Sequence, residues 1–269
     1  MRLRTFFLCW LGISFVMLTP ADVRAGNWEF VNGKHFVIYY KAAQDSSLAQ
    51  TVARKAEEYY IKVADQIGYS RYTNFWTWEE RVKIFIFPDQ QAFIQGTGQQ
   101  PWSYGYADSD SRLFRSRIVV TYRQNQDFID GLLPHEISHL ILKDFVGFNT
   151  AVPLWFQEGV AQLCEVNKRV NADLVMKALI KKNEYIPLTV LMGWDIRRES
   201  DNRKVTIFYA QSVSLVDFLI RTYGSGNFGL LCRGLKEGKS FQEAIMSAYR
   251  GVLRSVDDLE IKWINYMKG

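Results

Sequence analysis

The stretch LLPHEISHLIL, at residues 132–142, constrains this chain more than any other part of the sequence. It holds two of the three histidines of the 269-residue chain, His135 and His139, four positions apart. Pro134 is tolerated only in the first turn of a helix, so the stretch predicts a helix that begins near residue 132 and runs to about Val146. Histidines at this spacing differ by about 40° around a helix and by about 6 Å along it, so both imidazoles can converge on one metal ion.

A catalytic zinc site needs three protein ligands, an open fourth position and a nearby base. Glu136 lies to the side of the histidine pair, where its carboxylate can reach a water at the metal. For the third ligand the segment PLWFQEGVAQLCE offers Glu158, with 18 residues between it and His139. This segment is a second predicted helix, and the short GFNTAV turn can bring it back antiparallel to the first. The alternative third ligand is the remaining histidine, His35, but a strand histidine beside aromatic residues is usually packed or exposed.

The pattern of the chain changes near residue 125. Before it, KHFVIYY, RVKIFIF from Arg81 and the segment Arg117 to Tyr122 are typical of strands, and residues 46–67 are typical of an amphipathic helix. After it, helical periodicity continues to the C-terminus, with breaks at 147–153, around Pro187, at 193–203 and at 224–227. We therefore expect one α+β domain from residue 27 to residue 269, with a mixed strand and helix part followed by a helical part.

Composition limits the partners that the chain can have. Hydrophobic residues make up 48% of the sequence, which is enough for a substantial core. The formal net charge is +5, but the lysines and arginines are spread along the chain without a basic run interleaved with aromatic residues. We expect no nucleic-acid partner, and the sequence leaves the oligomeric state open.

The first 25 residues have the pattern of a signal peptide. Arg2 and Arg4 precede an apolar stretch that is short for a membrane span, and small residues lead up to a predicted cleavage after Ala25. We therefore expect an exported protein, periplasmic or secreted, without a stable membrane span once the signal is removed. The alternative is an uncleaved anchor. Export permits a disulfide between Cys164 and Cys232, and two buried thiols are the other possibility.

The metal-binding pattern resembles a known family. HEISH, followed after 18 residues by the glutamate of LWFQEGVA, is similar to the gluzincin metallopeptidases, especially the aminopeptidase N-type branch with its Trp-x-x-Glu-Gly-x-Ala pattern. The segments FYAQSVSLVDFLIRTYG and GLLCRGLKEGKSFQEAIMSAYR look like the C-terminal half of peptidase MA-like domains. The resemblance implies a zincin-like (thermolysin-like) catalytic domain.

The resemblance also implies roles for particular residues. His135, His139 and Glu158 would bind one Zn²⁺ per chain, and Glu136 would be the base that takes a proton from water. Tyr209 is the candidate for stabilising the tetrahedral oxyanion, and its alternative is a core tyrosine on an amphipathic helix. The strand at 117–122 would be the edge strand against which a peptide lies extended.

Two features depart from the family pattern. The aminopeptidases carry a Gly-x-Met-Glu-Asn stretch before the zinc helix, and YGYADSD in this chain is not equivalent to it. Thermolysin-like members have an aspartate four residues after the ligand glutamate, where this chain has Gln162. We therefore expect an exported zinc metallopeptidase that acts on peptides or proteins, without assigning aminopeptidase action. The alternative is a zinc-binding, non-catalytic interaction module of the cell envelope.

Overall fold

The structure is a computed structural model that describes residues 28–69, 81–101, 103, 105–108, 118–125, 127–147 and 150–269. The predicted signal peptide at residues 1–25 lies outside the described residues. The described chain divides into two compact units. The sheet unit is formed by the described parts of 1–61 and 71–140, and the helical unit by those of 62–70 and 141–269. This division does not test the expectation of one domain over 27–269, which stays a prediction.

The sheet unit contains a five-stranded mixed sheet with the order β1-β2-β3-β5-β4. Strands β2, β3 and β5 are parallel, and β1 and β4 are antiparallel to their neighbours. The three strands predicted from sequence are confirmed as β2, β3 and β5, and almost all of their residues are buried, as expected for parallel strands covered on both faces. The strands are β1 Glu29–Asn32, β2 Phe36–Tyr40, β3 Val82–Phe87, β4 Gly105–Asp108 and β5 Ile118–Tyr122.

The expectation that the strand at 117–122 is the edge strand is wrong. Strand β5 pairs with β3 on one side and with β4 on the other, so among the described strands β4 lies at this edge of the sheet. The sequence of β4, GYAD, contains glycine and aspartate, which are depleted in strands, so its composition does not predict a strand. Pairing with β5 overrides the weak local preference.

Two helices of the sheet-containing half are positioned by apolar side chains. Helix α1, Ser46–Gln66, confirms the predicted amphipathic helix, and its residues Ala49, Val52 and Ala56 recur at the helical spacing and are fully buried. Helix α2, Gln90–Thr97, is capped at its N-terminus by Asp89, whose side chain accepts a hydrogen bond from the backbone N–H of Ala92. A hydrophobic cluster on one side of the sheet unit contains Phe85, Phe87, Phe93, Ile118, Val120 and Tyr122.

Helices dominate the rest of the chain, as predicted. The breaks expected at 147–153, around Pro187 and within 193–203 are confirmed. The break expected at 224–227 is also confirmed, because Gly224 has φ 85° and ψ 155° and two helical segments meet there at a kink. The remaining helices are α3 Leu133–Val146, α4 Leu154–Leu163, α5 Val166–Lys181, α6 Leu188–Leu191, α7 Asn202–Lys236, α8 Phe241–Ala248 and α9 Val256–Lys268.

The helical unit is organised around α7, which packs against α4, α5 and α8. Phe156 of α4 stacks on Phe228 of α7 with ring centroids 5.2 Å apart. Phe241 of α8 meets Phe156 edge-on at 5.3 Å, and Trp155 at 5.4 Å. These rings are buried, so α4 is held in the apolar core of its unit.

Cys164 and Cys232 are both buried and are not joined in a disulfide. The structure thus corresponds to the second of the two possibilities for these residues, two buried thiols. Burial raises the pKa of the Cys232 thiol far above its ordinary value, which keeps it protonated and unreactive. Within the described residues, no helix combines the length and the apolar character that a membrane crossing requires.

Candidate metal centre

Helix α3 carries the histidine pair, and several contacts fix the position of its backbone. Pro134 lies in its first turn, where its missing N–H costs no helical hydrogen bond. One turn later, the hydroxyl of Ser138 donates to the carbonyl of Pro134 at 2.7 Å. Ile137 and Ile141 are at most 1% exposed and attach the opposite side of the helix to apolar surroundings. The face that carries the histidines is therefore fixed by packing on the other faces.

The two imidazoles converge as the i,i+4 spacing predicts. The Nε2 atoms of His135 and His139 are 3.2 Å apart, and the ring planes are inclined by 75°. Two Zn–N bonds of about 2.0–2.1 Å at a tetrahedral angle place their nitrogens about 3.3 to 3.4 Å apart. The separation of the Nε2 atoms is close to this distance, so the pair fits a single zinc ion.

Glu158 lies on α4 and is 3% exposed. The residue that follows it explains how close α4 can come to α7. A Cβ atom at Gly159 would lie 2.4 Å from the backbone oxygen of Ser212 and 2.6 Å from Cγ2 of Val216. Only glycine permits this approach, which gives a physical reason for the Glu-Gly pair in the LWFQEGVA motif.

One ligand atom from each of His135, His139 and Glu158 lies within 4.8 Å of the others. Two of the three residues are buried, and His139 is half-buried. Two imidazole nitrogens and one carboxylate oxygen are the donor set of a catalytic zinc with three protein ligands. These residues could therefore hold a metal ion. Glu136 is 3% exposed and follows His135 directly on the same helix.

His35 is not part of this group. Its Nδ1 lies 2.6 Å from Oε2 of Glu57, and its backbone N–H donates to Oε1 of the same carboxylate at 2.8 Å. The ring stacks on Tyr60 with centroids 4.2 Å apart. The structure thus places His35 in the packed setting that is usual for a strand histidine.

Tyr209 lies on α7, is half-buried, and meets the ring of Phe208 edge-on at 5.4 Å. Its assignment to the oxyanion stays a prediction.

Sequence reasoning did not single out Arg197, which follows α6 in a 3-10 turn at Ile196–Arg198. The pKa of Arg197 is raised, first by its hydrogen bonds to Asp195 and, among smaller causes, by the negative charge of Glu158. The sequence signal for this residue is only an aspartate two positions before an arginine, which is common in turns.

A comparison with protein-family models matched residues 58–269 to the Peptidase MA superfamily. The match covers most of the chain, and the chain therefore belongs to this superfamily. Its mixed α+β structure agrees with such a domain, and the membership indicates a metallopeptidase-like function. A comparison with curated proteins gave no match.

Proposed function

We propose that the protein is a zinc-dependent metallopeptidase of the gluzincin type, with one Zn²⁺ per chain held by His135, His139 and Glu158. The observation that carries the proposal is the convergence of three ligand atoms within 4.8 Å, with the histidine nitrogens 3.2 Å apart. A structural zinc site normally has four protein ligands, whereas three protein ligands leave a position open for substrate or water. The substrate is a peptide or a protein.

Glu136 is the general base in this proposal. When bound, zinc would supply Lewis-acid polarisation at the open position and lower the pKa of a water there. The Glu136 carboxylate accepts a proton from the attacking water and passes it to the amine that leaves when the peptide bond breaks. Burial of this carboxylate excludes bulk water from the proton transfer. In the same proposal, the phenolic O–H of Tyr209 donates a hydrogen bond to the oxyanion.

We also propose that the chain is exported and acts in the periplasm or outside the cell, after cleavage of residues 1–25. This proposal rests on the positively charged Arg2 and Arg4, the short apolar stretch that follows them and the small residues before residue 26. N-terminal sequencing of the protein secreted from an expression host tests it, and a mature N-terminus at Gly26 is expected. An intact Met1 in the exported fraction would contradict cleavage.

The central experiment compares the wild type with Glu136→Gln. The amide keeps the size of the side chain but cannot accept the proton, so peptide cleavage should fall by about 10²-fold or more while zinc content stays near one per chain. Cleavage of a peptide library is measured by mass spectrometry with and without a chelator, and zinc is measured by atomic absorption. Glu184→Gln is the matched control, because Glu184 is partly exposed and pairs with Arg203.

Equal cleavage by the wild type and by Glu136→Gln would exclude Glu136 as the base. Stoichiometric zinc without any cleavage by the wild type would reject the peptidase proposal and indicate a zinc-binding interaction module. Absence of zinc from the purified wild type, even after incubation with the metal, would reject the metal site itself.

A further inference from the structure

The 3-10 turn at Ile196–Arg198 holds an arginine in a fixed orientation. The carboxylate of Asp195 accepts from Nε of Arg197 at 2.7 Å and from Nη2 at 2.9 Å, and also from its backbone N–H at 3.2 Å. Two parallel hydrogen bonds from one guanidinium to one carboxylate define the plane of the guanidinium group. Arg197 is therefore oriented before any ligand arrives.

The segment that carries this turn is attached to the helices of both Glu158 and Tyr209. The indole N–H of Trp155, one turn before Glu158 on α4, donates to the sulfur of Met192 at 3.4 Å. Trp194 meets Phe208, the neighbour of Tyr209 on α7, edge-on with ring centroids 6.2 Å apart. These contacts hold the turn beside the two helices, which agrees with the electrostatic attraction between Arg197 and Glu158.

The guanidinium of Arg197 keeps hydrogen-bond donors for a further ligand. Within the described part of the chain, its hydrogen bonds go to Asp195 alone and use Nε and one side of Nη2. The outer edge, formed by Nη1 and the second hydrogen of Nη2, is a second fork of the geometry that fits a carboxylate. The side chain is 40% exposed, so a ligand can reach this edge from solvent.

We propose that Arg197 is a specificity-determining residue that binds a carboxylate of the substrate, either the C-terminal carboxylate of a peptide or an acidic side chain close to the cleaved bond. The inference rests on the proposed peptidase function and deepens it by naming the substrate class. Arg197 meets the ligand carboxylate through two charge-assisted hydrogen bonds, while Asp195 keeps the guanidinium in place. The neighbouring Arg198 is 87% exposed, and its Nε lies 3.6 Å from Asp195.

The test uses acetylated peptides of one core sequence in two matched pairs. The first pair compares a free C-terminal carboxylate with a C-terminal amide, and the second compares glutamate with glutamine beside the cleaved bond in amidated peptides. Cleavage is measured as kcat/KM with the wild type. Binding is measured by calorimetry with zinc-loaded Glu136→Gln protein, which separates recognition from turnover.

The carboxylate member of one pair should be favoured by roughly 10- to 100-fold, the range that a hydrogen-bonded charged group contributes. The pair that shows the preference identifies the source of the carboxylate. Arg197→Met should abolish the preference, with a much larger loss for the carboxylate peptide than for the neutral one, and Arg197→Lys should keep part of it. Arg198→Met is the matched control on the same turn, since Arg198 is 87% exposed, and it should keep the preference.

Three results would overturn the inference. The first is the absence of a carboxylate preference in both pairs, in cleavage and in binding. The second is an equal loss for charged and neutral peptides in Arg197→Met, and the third is a loss of zinc from that variant, since both would indicate a residue that only positions Glu158. Carboxylate-dependent binding without any cleavage by the wild type would instead reject the proposed peptidase function and leave carboxylate recognition in place.

Discussion

The chain places histidine beside glutamate in two regions, and the imidazole nitrogens face different partners in each. In the sheet unit, His35 and Glu57 form a closed pair, with the ring nitrogen and the backbone N–H both turned to one carboxylate. In α3, the Nε2 atoms of His135 and His139 face each other at 3.2 Å. The ring of His35 is held by a carboxylate and a stacked tyrosine, whereas the two nitrogens of the α3 pair lie close enough to contribute to one group of ligand atoms that could hold a metal ion. The comparison teaches that residue type alone does not predict which histidines could bind a metal.

The largest expected effect is on zinc binding, which should be lost in variants of the proposed metal centre and kept in a variant of His35. His135→Ala and Glu158→Ala should each lower zinc affinity by more than the roughly 10–100-fold that loss of an outer-shell partner costs, because each removes a proposed direct ligand. His35→Ala should keep one zinc per folded chain. Zinc is measured by atomic absorption after dialysis. Unchanged zinc in Glu158→Ala, or loss of zinc in folded His35→Ala, would contradict the different roles assigned to the two regions.

The next effect concerns the packing that places Glu158. Gly159→Ala puts a methyl group against the backbone of Ser212 at 2.4 Å and should lower the free energy of unfolding by about 1–3 kcal/mol. It should also weaken zinc binding, because α4 must move away from α7. Gly226→Ala is the control, since an added Cβ there meets no atom within 4 Å. Thermal unfolding and zinc titration measure both variants, and a fully stable Gly159→Ala protein would contradict the close approach of the two helices.

A smaller effect is expected for the structural pair. Glu57→Gln removes the charge opposite His35 and should lower the free energy of unfolding by about 1 kcal/mol, because the pair is only partly shielded from water. Zinc content should not change. Urea denaturation followed by fluorescence measures the first quantity and atomic absorption the second. A variant that keeps its stability but loses zinc would assign the pair to the metal centre instead.

The smallest effect is the pH dependence of that pair. Burial acts to raise the pKa of Glu57, but the hydrogen bonds from the ring and backbone of His35 outweigh it, so the pKa lies below the ordinary value of 4.5. A carboxyl group with a lowered folded-state pKa stabilises the fold fully above its ordinary pKa, and this contribution is lost as the pH falls through the folded-state pKa. The stability difference between the wild type and Glu57→Gln should therefore shrink as the pH is lowered below about 4.5. The stability difference is measured by urea denaturation from pH 6 to pH 3. A difference that grows on acidification would contradict a lowered pKa of Glu57.

Local patterns predicted most of the elements and the histidine pair. The positions of β2, β3, β5, α1 and α3 follow from hydrophobic periodicity and from the first-turn proline, which act over a few residues. The helix starts at Asp201, Ser240 and Ser255 were not predicted, but they are also set locally, because these side chains accept hydrogen bonds from the backbone of the first turn. Strand β4 was missed because its short sequence has low strand preference and gains its structure from pairing with β5.

By itself, the sequence determined the i,i+4 spacing of His135 and His139, because a helix repeats every 3.6 residues wherever it lies. The tertiary structure decided what depends on distant parts of the chain. It brought Glu158 to within 4.8 Å of the histidine nitrogens, paired His35 with a glutamate 22 residues away, and placed β5 inside the sheet. These outcomes follow from packing that involves many residues at once, such as the contact that Gly159 permits between α4 and α7. No local pattern specifies such contacts, since their free energy depends on which surfaces meet when the whole chain folds.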